Sequence, residues 1–198
     1  MAKYVGGSNE YQYQYLIDLL NNKQCLIVPI GIPGSGRSII IENIKNMIDK
    51  EKLHVVVADD VRKQLFGSRD IQGNPAEVFR KTYDLCRKPF KEGKSVIVDA
   101  TNIENKNRLR LVDKAIPFGY EKKICKVAID VSVSLEIALF RYKNAGGKVP
   151  ERKIVTMYNR KTVPGVDDTT FDYVFTINNF DVTSVKELEP YIKQERQW

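Results

Sequence analysis

The chain has 198 residues, of which 42% are hydrophobic and 29% are charged, and its formal net charge is +7. No apolar run approaches the ~18 residues that span a bilayer, and the first residues lack the apolar core of a signal peptide, so we expect a cytoplasmic protein without membrane partners. One histidine and three scattered cysteines argue against His-based triads and most zinc sites, and the cysteines are expected to be buried thiols. The positive charge favours nucleotides or nucleic acids as partners.

Apolar runs that are typical of strands alternate with helical patterns along the chain. The predicted strands cover residues 24–30, 53–58, 95–100, 122–130 and 172–178. The predicted helices cover residues 9–22, 37–50, 76–94, 105–119, 134–144 and 182–194. Strands that are apolar on both faces and separated by helices predict an α/β fold with a five-stranded parallel sheet flanked by helices, and residues 1–198 are expected to form one domain. Sites in such folds lie beyond the carboxyl ends of the strands.

The segment GIPGSGRS follows the first predicted strand and opens the next helix. It fits the phosphate-binding loop G-x-x-x-x-G-K-[ST], except that Arg37 stands in the lysine position. Glycines allow close approach of the backbone to phosphate oxygens, and a helix N-terminus attracts anions. Ser38 is the expected Mg²⁺ ligand. We predict nucleotide contacts along this loop, at Gly31, Pro33, Gly34, Ser35, Gly36, Arg37 and Ser38.

The segment ADDVR ends the second predicted strand. A carboxylate here, on the same edge of the sheet as the phosphate loop, is suitably placed to orient an acceptor hydroxyl and take its proton. Asp59 is the candidate base, and Arg62 shares its side of a helical turn and could fork onto a substrate phosphate. Asp59 or Asp60 could instead cap the following helix, with Asp60 the better cap candidate.

The segment DATN ends the third predicted strand. Asp99 is expected to help order a metal shell or a basic residue. Thr101 and Asn102 are candidate substrate contacts, although either could equally cap the next helix. Arg108 and Arg110 are two residues apart on that helix, so only one is expected to reach the site.

Residues 142–170 are basic and punctuated by glycine and proline, which predicts a mobile lid with one short helix over the phosphates. Such a lid supplies cations that neutralise charge during phosphate transfer. The candidate cations are Arg141, Lys143, Lys148 and Arg152.

Taken in order, GIPGSGRS, ADDVR, DATN with Arg108, and R…GGKVPERKI resemble the kinase domain of the bacteriophage-type 5′-hydroxyl polynucleotide kinases, a branch of the adenylate-kinase-like P-loop kinases. The resemblance runs from about residue 24 to residue 178. It implies an ATP- and Mg²⁺-dependent kinase in which Asp59 activates the 5′-hydroxyl and Arg62 grips the adjacent phosphate. It also implies that Asp99 is the third-strand aspartate and that Arg141 is the first lid arginine.

Two departures from the family pattern stand out, namely Arg37 in the lysine position and Ala145 where the second lid arginine falls. The expected function is transfer of the γ-phosphate of ATP to the 5′-hydroxyl of DNA or RNA. The alternatives are a kinase for a hydroxymethylated base in DNA, a nucleoside or a small metabolite, and a nucleotide-binding module whose kinase activity has lapsed. A homo-oligomer is possible, as in many members of the resembled family.

Overall fold

The computed structural model describes residues 1–120, 123–165 and 168–178. The strands are β1 (Lys3–Val5), β2 (Cys25–Ile30), β3 (Leu53–Val57), β4 (Ser95–Asp99), β5 (Cys125–Ser132) and β6 (Tyr173–Asn178). The helices are α1 (Asn9–Asn22), α2 (Arg37–Met47), α3 (Ala58–Phe66), α4 (Pro75–Lys91), α5 (Asn105–Ala115), α6 (Leu135–Asn144) and α7 (Glu151–Arg160). The helix predicted at 182–194 lies outside the described residues.

All six strands belong to one parallel sheet in the order β1-β6-β5-β2-β4-β3. The predicted α/β architecture, a parallel sheet flanked by helices, is therefore confirmed, but the predicted count of five strands is wrong. The sixth strand is β1, in which Lys3 pairs with Tyr173 at the edge of the sheet. Three residues are too few to show strand periodicity, and the pairing partner lies near the other end of the chain.

The central strand β2 is buried along its whole length, which explains its continuous apolar sequence. Cys25 and Ile27 contribute to a cluster with α1 and α2 on one face of the sheet. Leu26 and Val28 contribute to a second cluster with α4 and α5 on the other face. Helices thus cover both faces and leave the carboxyl ends of the strands as the place for a site.

The three cysteines are buried and free, as the sequence predicts. Cys25 and Cys125 lie opposite each other on β2 and β5. Burial raises the pKa of Cys86 to about 12, so this thiol stays protonated at neutral pH.

Helix α3 follows β3 directly and ends at Gly67, which has a positive φ of 81°. Its N-cap is Val57, and no side chain caps its first turn, so the prediction that Asp60 caps this helix is wrong. Asp59 and Asp60 lie inside the first turn instead, where the helix N-terminus stabilises negative charge. The N-cap of α5 is Glu104, so neither Thr101 nor Asn102 caps that helix.

Candidate active site

The phosphate loop joins β2 to α2 at the carboxyl edge of the sheet. Gly34 and Gly36 have positive φ values of 81° and 91°, which favour glycine. A Cβ atom added to Gly34 would overlap the carbonyl oxygen of Ala138 in α6, so this close packing also requires glycine. Gly36 is the N-cap of α2, and the first N–H groups of that helix have no partners within it. The loop therefore has the form of an anion cradle.

The other predicted loop residues shape this cradle or line it. The Gly31 N–H donates to the Thr101 carbonyl at 3.0 Å, which ties the loop to the end of β4. A Cβ atom at Gly31 would overlap the hydroxyl of Ser35, which is buried beneath the loop. Pro33 and Ser38 line the adjoining cleft.

Arg37 folds back across the loop. Its Nε lies 3.4 Å from Oδ1 of Asp99, and its Nη1 donates to the carbonyls of Gly31 and Ile32, the latter at 3.2 Å. These contacts use the planar fork of the guanidinium, which a single lysine nitrogen cannot reproduce. The side chain is 17% exposed and lines the cleft, so it braces the loop and keeps its positive charge at the site.

Most of the predicted site residues line one cleft of about 910 Å³. It runs from the phosphate loop past the ends of β3 and β4 to the lid. The predicted site residues that line it are Pro33, Gly34, Gly36, Arg37, Ser38, Asp59, Arg62, Asp99, Thr101, Asn102 and Arg141. The rule for the carboxyl ends of parallel strands thus correctly brings three segments to one cavity, and Arg141 joins them from α6.

Asp59 and Arg62 form an ion pair within the first turns of α3. The carboxylate of Asp59 is 62% exposed and Arg62 is 23% exposed, so the acid is open to a ligand while the arginine is held against the wall. The neighbouring Asp60 pairs with Arg69 instead and is not among the residues that line the cleft in the described structure. The two adjacent carboxylates therefore have different surroundings.

The DATN segment fastens the carboxyl ends of β2 and β4 together. Asn102 has a positive φ of 49°, and its amide donates to the carbonyls of Pro29 at 2.9 Å and Val98 at 3.1 Å. Both amide donors are thus used inside the protein, which makes Asn102 a support of the site as well as part of its wall.

Arg108 lies apart from this cleft. Its side chain is 1% exposed, and its guanidinium donates to the carbonyls of Asn102 and Thr162, each at 2.9 Å, and to the Thr162 hydroxyl at 3.1 Å. Burial lowers the pKa of Arg108, and the negative charges of Asp168 and Asp130 oppose that shift. Arg108 therefore fastens the chain after α7 to the end of β4, and in the described structure it does not line the cavity of the other site residues.

The lid segment contains the predicted short helix, which is α7. Ile154 is buried against Ile32, Ile103 and Ala138, so α7 packs above the phosphate loop. Lys148 forms a 2.6 Å ion pair with Asp70, which lies on the loop between α3 and α4. The lid therefore contacts the phosphate loop through buried Ile154 and the loop after α3 through an exposed ion pair.

Besides Arg37 and Arg62, the described residues that line the cleft include an arginine just before the lid and one within it, of which the sequence predicted only the first, Arg141. Ala145 also lines the cleft, whereas Lys143, Lys148 and Arg152 are not among the lining residues of the described structure. The second arginine is Arg160, the last residue of α7, whose Nη2 lies 2.6 Å from Oε1 of Glu104. Thr156, Met157 and Arg160 share the helix face toward the cleft, and this spacing is the signal that could have identified Arg160.

A family model described as an AAA domain matches residues 26–164 of the chain. Among solved structures, a chain of the Pnkp1/Rnl/Hen1 RNA repair complex aligns with a TM-score of 0.59 and 19% identity. The alignment covers 70% of the present chain but 44% of that one, so the present chain spans less than half of its length.

Two similar structures are matched over nearly their whole length. A sugar kinase from Janibacter sp. HTCC2649 aligns with a TM-score of 0.58 and 13% identity, over 86% of the present chain and 95% of the other. Chaetomium thermophilum Kti12 in complex with ADP-AlF3 aligns with a TM-score of 0.55 and 16% identity, over 85% and 97%. At these identities the comparison shows a shared P-loop kinase fold.

None of the helices in the described part of the chain has both the length and the apolar sequence that a membrane span requires.

Proposed function

The chain belongs to the AAA domain family, and from that premise we propose that it is an ATP- and Mg²⁺-dependent kinase that phosphorylates the 5′-hydroxyl end of DNA or RNA. The observation that carries the proposal is the single cleft lined by the phosphate loop, Asp59, Arg62 and Arg141. This set provides the parts that phosphoryl transfer needs, which are a phosphate cradle, a base for the hydroxyl and cations for the charge in flight.

The donor side fits a nucleoside triphosphate. Gly34, Gly36 and the start of α2 offer backbone N–H groups to phosphate oxygens, and Ser38 offers a hydroxyl to the metal. Among the described residues, no group of three or more Asp, Glu, His or Cys could hold a metal ion. Mg²⁺ does not need such a cage, because it keeps several waters and takes one or two protein ligands together with phosphate oxygens.

On the acceptor side, the hydroxyl oxygen forms a bond to the γ-phosphorus while the bond from phosphorus to the bridging oxygen of ADP breaks. Asp59 accepts the proton of that hydroxyl, and its exposed carboxylate suits this task. Arg37, Arg141 and Arg160 stabilise the charge on the transferred group. Because the positions of these groups are set by rigid strand ends and helices, they need little rearrangement at the moment of transfer.

A nucleic acid acceptor is supported by the net charge of +7 and by Arg62. The Nε atom of Arg62 is buried and has no hydrogen-bond partner in the described part of the structure. A substrate phosphate beside the reacting hydroxyl would compete with Asp59 for the Arg62 guanidinium. The fold similarity to a chain of an RNA repair complex adds a weaker indication.

The test is transfer of label from γ-labelled ATP with Mg²⁺ to a panel of acceptors. The panel holds 5′-hydroxyl DNA and RNA strands, duplex DNA with hydroxymethylated bases, free nucleosides and gluconate. The matched control is the same strand with a phosphate already on its 5′ end, which must stay unlabelled. If only a nucleoside, the modified duplex or gluconate is labelled, that compound and not a strand end is the acceptor. If the protein binds ATP but labels no acceptor, the kinase proposal is refuted.

A further inference from the structure

Helix α4 turns one face toward the part of the cleft that lies beyond Asp59. The residues of this face that line the cleft have the spacing of a single helical stripe, and they are Pro75, Val78, Phe79, Thr82 and Tyr83. Because α4 packs against α3, the helix that carries Asp59, this stripe belongs to the acceptor side of the cleft.

Two aromatic rings dominate this wall. Phe79 and Tyr83 are one turn apart, their ring planes differ by only 14°, and their centroids are 6.3 Å apart. Both side chains are half-buried and both line the cleft. The residues that face this space from the sheet and from α5 include Val98 and Leu111, which are apolar. The acceptor side is therefore a slot with aromatic and aliphatic walls and a charged end at Asp59.

We infer that Phe79 and Tyr83 form a platform on which the base of the acceptor nucleotide stacks while its 5′-hydroxyl lies at Asp59. This inference rests on the proposed function and narrows it, because it makes the first base of the strand a recognised part of the substrate. Stacking on aromatic side chains accepts every base, since each base has a π-face. A polyol or sugar acid has no such face and would leave both rings uncovered.

The polar groups at the rim of the slot suit a base as well. Gln72 and Asn107 line the cleft, and among the described residues neither side-chain amide forms a hydrogen bond within the protein. An amide carries both donors and acceptors, which is the combination that reads the edge of a base. The slot thus offers a face for stacking and groups for the edge of the same ligand.

The experiment measures equilibrium binding of two 5′-hydroxyl dinucleotides in the presence of Mg²⁺ and ADP. One carries both bases, and the other is abasic at its 5′ nucleotide. We expect the base-bearing ligand to bind at least about tenfold more tightly to the wild-type protein. In a Phe79→Leu/Tyr83→Leu variant, which keeps apolar volume but removes the rings, that preference should fall to about twofold or less. Tyr11→Leu, an exposed tyrosine on α1, is the matched control and should leave the preference unchanged.

Equal binding of the two dinucleotides by the wild-type protein overturns the inference, as does a preference that persists in the double leucine variant. Unchanged ADP affinity and melting temperature show that the variant is folded. Because binding is measured without phosphate transfer, the stacking platform and the proposed kinase reaction can be refuted independently of each other. If the protein prefers the base-bearing dinucleotide but does not label strand ends, the stacking platform is supported and the proposed reaction is refuted. If it labels strand ends but shows no base preference, the reaction is supported and the platform is refuted.

Discussion

Replacing Asp59 with asparagine tests the assignment of the proton acceptor. The substitution keeps the size and planar shape of the side chain, but an amide cannot take the proton of the acceptor hydroxyl. General-base catalysis contributes about 100- to 10,000-fold, so kcat should fall by that factor, which corresponds to about 3 to 5 kcal/mol in the activation barrier. The ion pair with Arg62 is also lost, but it is largely solvent-exposed on the Asp59 side, so we expect little loss of folding stability.

The assay is steady-state transfer of label to the acceptor that the panel identifies, with kcat and KM measured separately. Asp60→Asn is the matched control, because Asp60 is the adjacent carboxylate in the same helical turn but pairs with Arg69. We expect the control to retain wild-type kcat and both variants to bind ADP normally. A wild-type kcat in Asp59→Asn, or an equal loss in both variants, would falsify the assignment of Asp59 as the base.

Four further substitutions test separate parts of the site. Gly34→Ala should abolish nucleotide binding in calorimetry, because its Cβ would overlap a carbonyl of α6 at a positive φ. Arg37→Lys should raise the KM for ATP by about tenfold, because lysine cannot keep all three contacts of the guanidinium; an unchanged KM would contradict the bracing role. Arg160→Ala should lower kcat by about 100-fold, whereas Lys153→Ala on the exposed face of α7 should not. Arg108→Ala should lower the free energy of unfolding by about 3 kcal/mol in urea titration, because buried hydrogen bonds are lost. A variant with wild-type stability but a raised KM for the acceptor would show instead that Arg108 binds the substrate.

Sequence patterns predicted the parts of the site that depend on local chain order. The phosphate loop follows its strand directly, and the DDVR and DATN segments follow theirs, so the rule for parallel strands was sufficient to bring Asp59 and Asp99 to one cleft. The strand β1 escaped prediction because its three residues gain their structure from pairing with β6, a contact between distant parts of the chain. Local periodicity carries no information about such a pairing.

Arg108, which the sequence placed at the site, and Arg160, which it missed, both depend on the direction of a side chain within the fold. Arg108 and Arg160 are both arginines on helices near the site. Helical spacing groups Arg160 with Thr156 and Met157 on one face, but it does not tell whether that face, or the face of Arg108, points into the protein or toward the cleft. The packing of Ile154 orients α7 so that Arg160 lines the cleft. Phe79 and Tyr83 were not singled out from the sequence, because only the position of α4 at the cleft shows that their stacked rings line it.

The arginine in the lysine position couples two parts of the site that lysine would leave separate. Asp99 had two alternatives, a metal shell or a basic residue, and the contact with Arg37 Nε favours the second. Nη1 is used by the carbonyls of Gly31 and Ile32, so Nη2 is the part of the fork that remains for a phosphate oxygen. One side chain thus joins the start of the loop to the end of β4, and under the proposed function it would also contact the nucleotide. A side chain that is already anchored loses less conformational entropy when a nucleotide binds. This saving offsets part of a disadvantage of arginine, whose planar group follows a moving phosphate less freely than the flexible ammonium of lysine does.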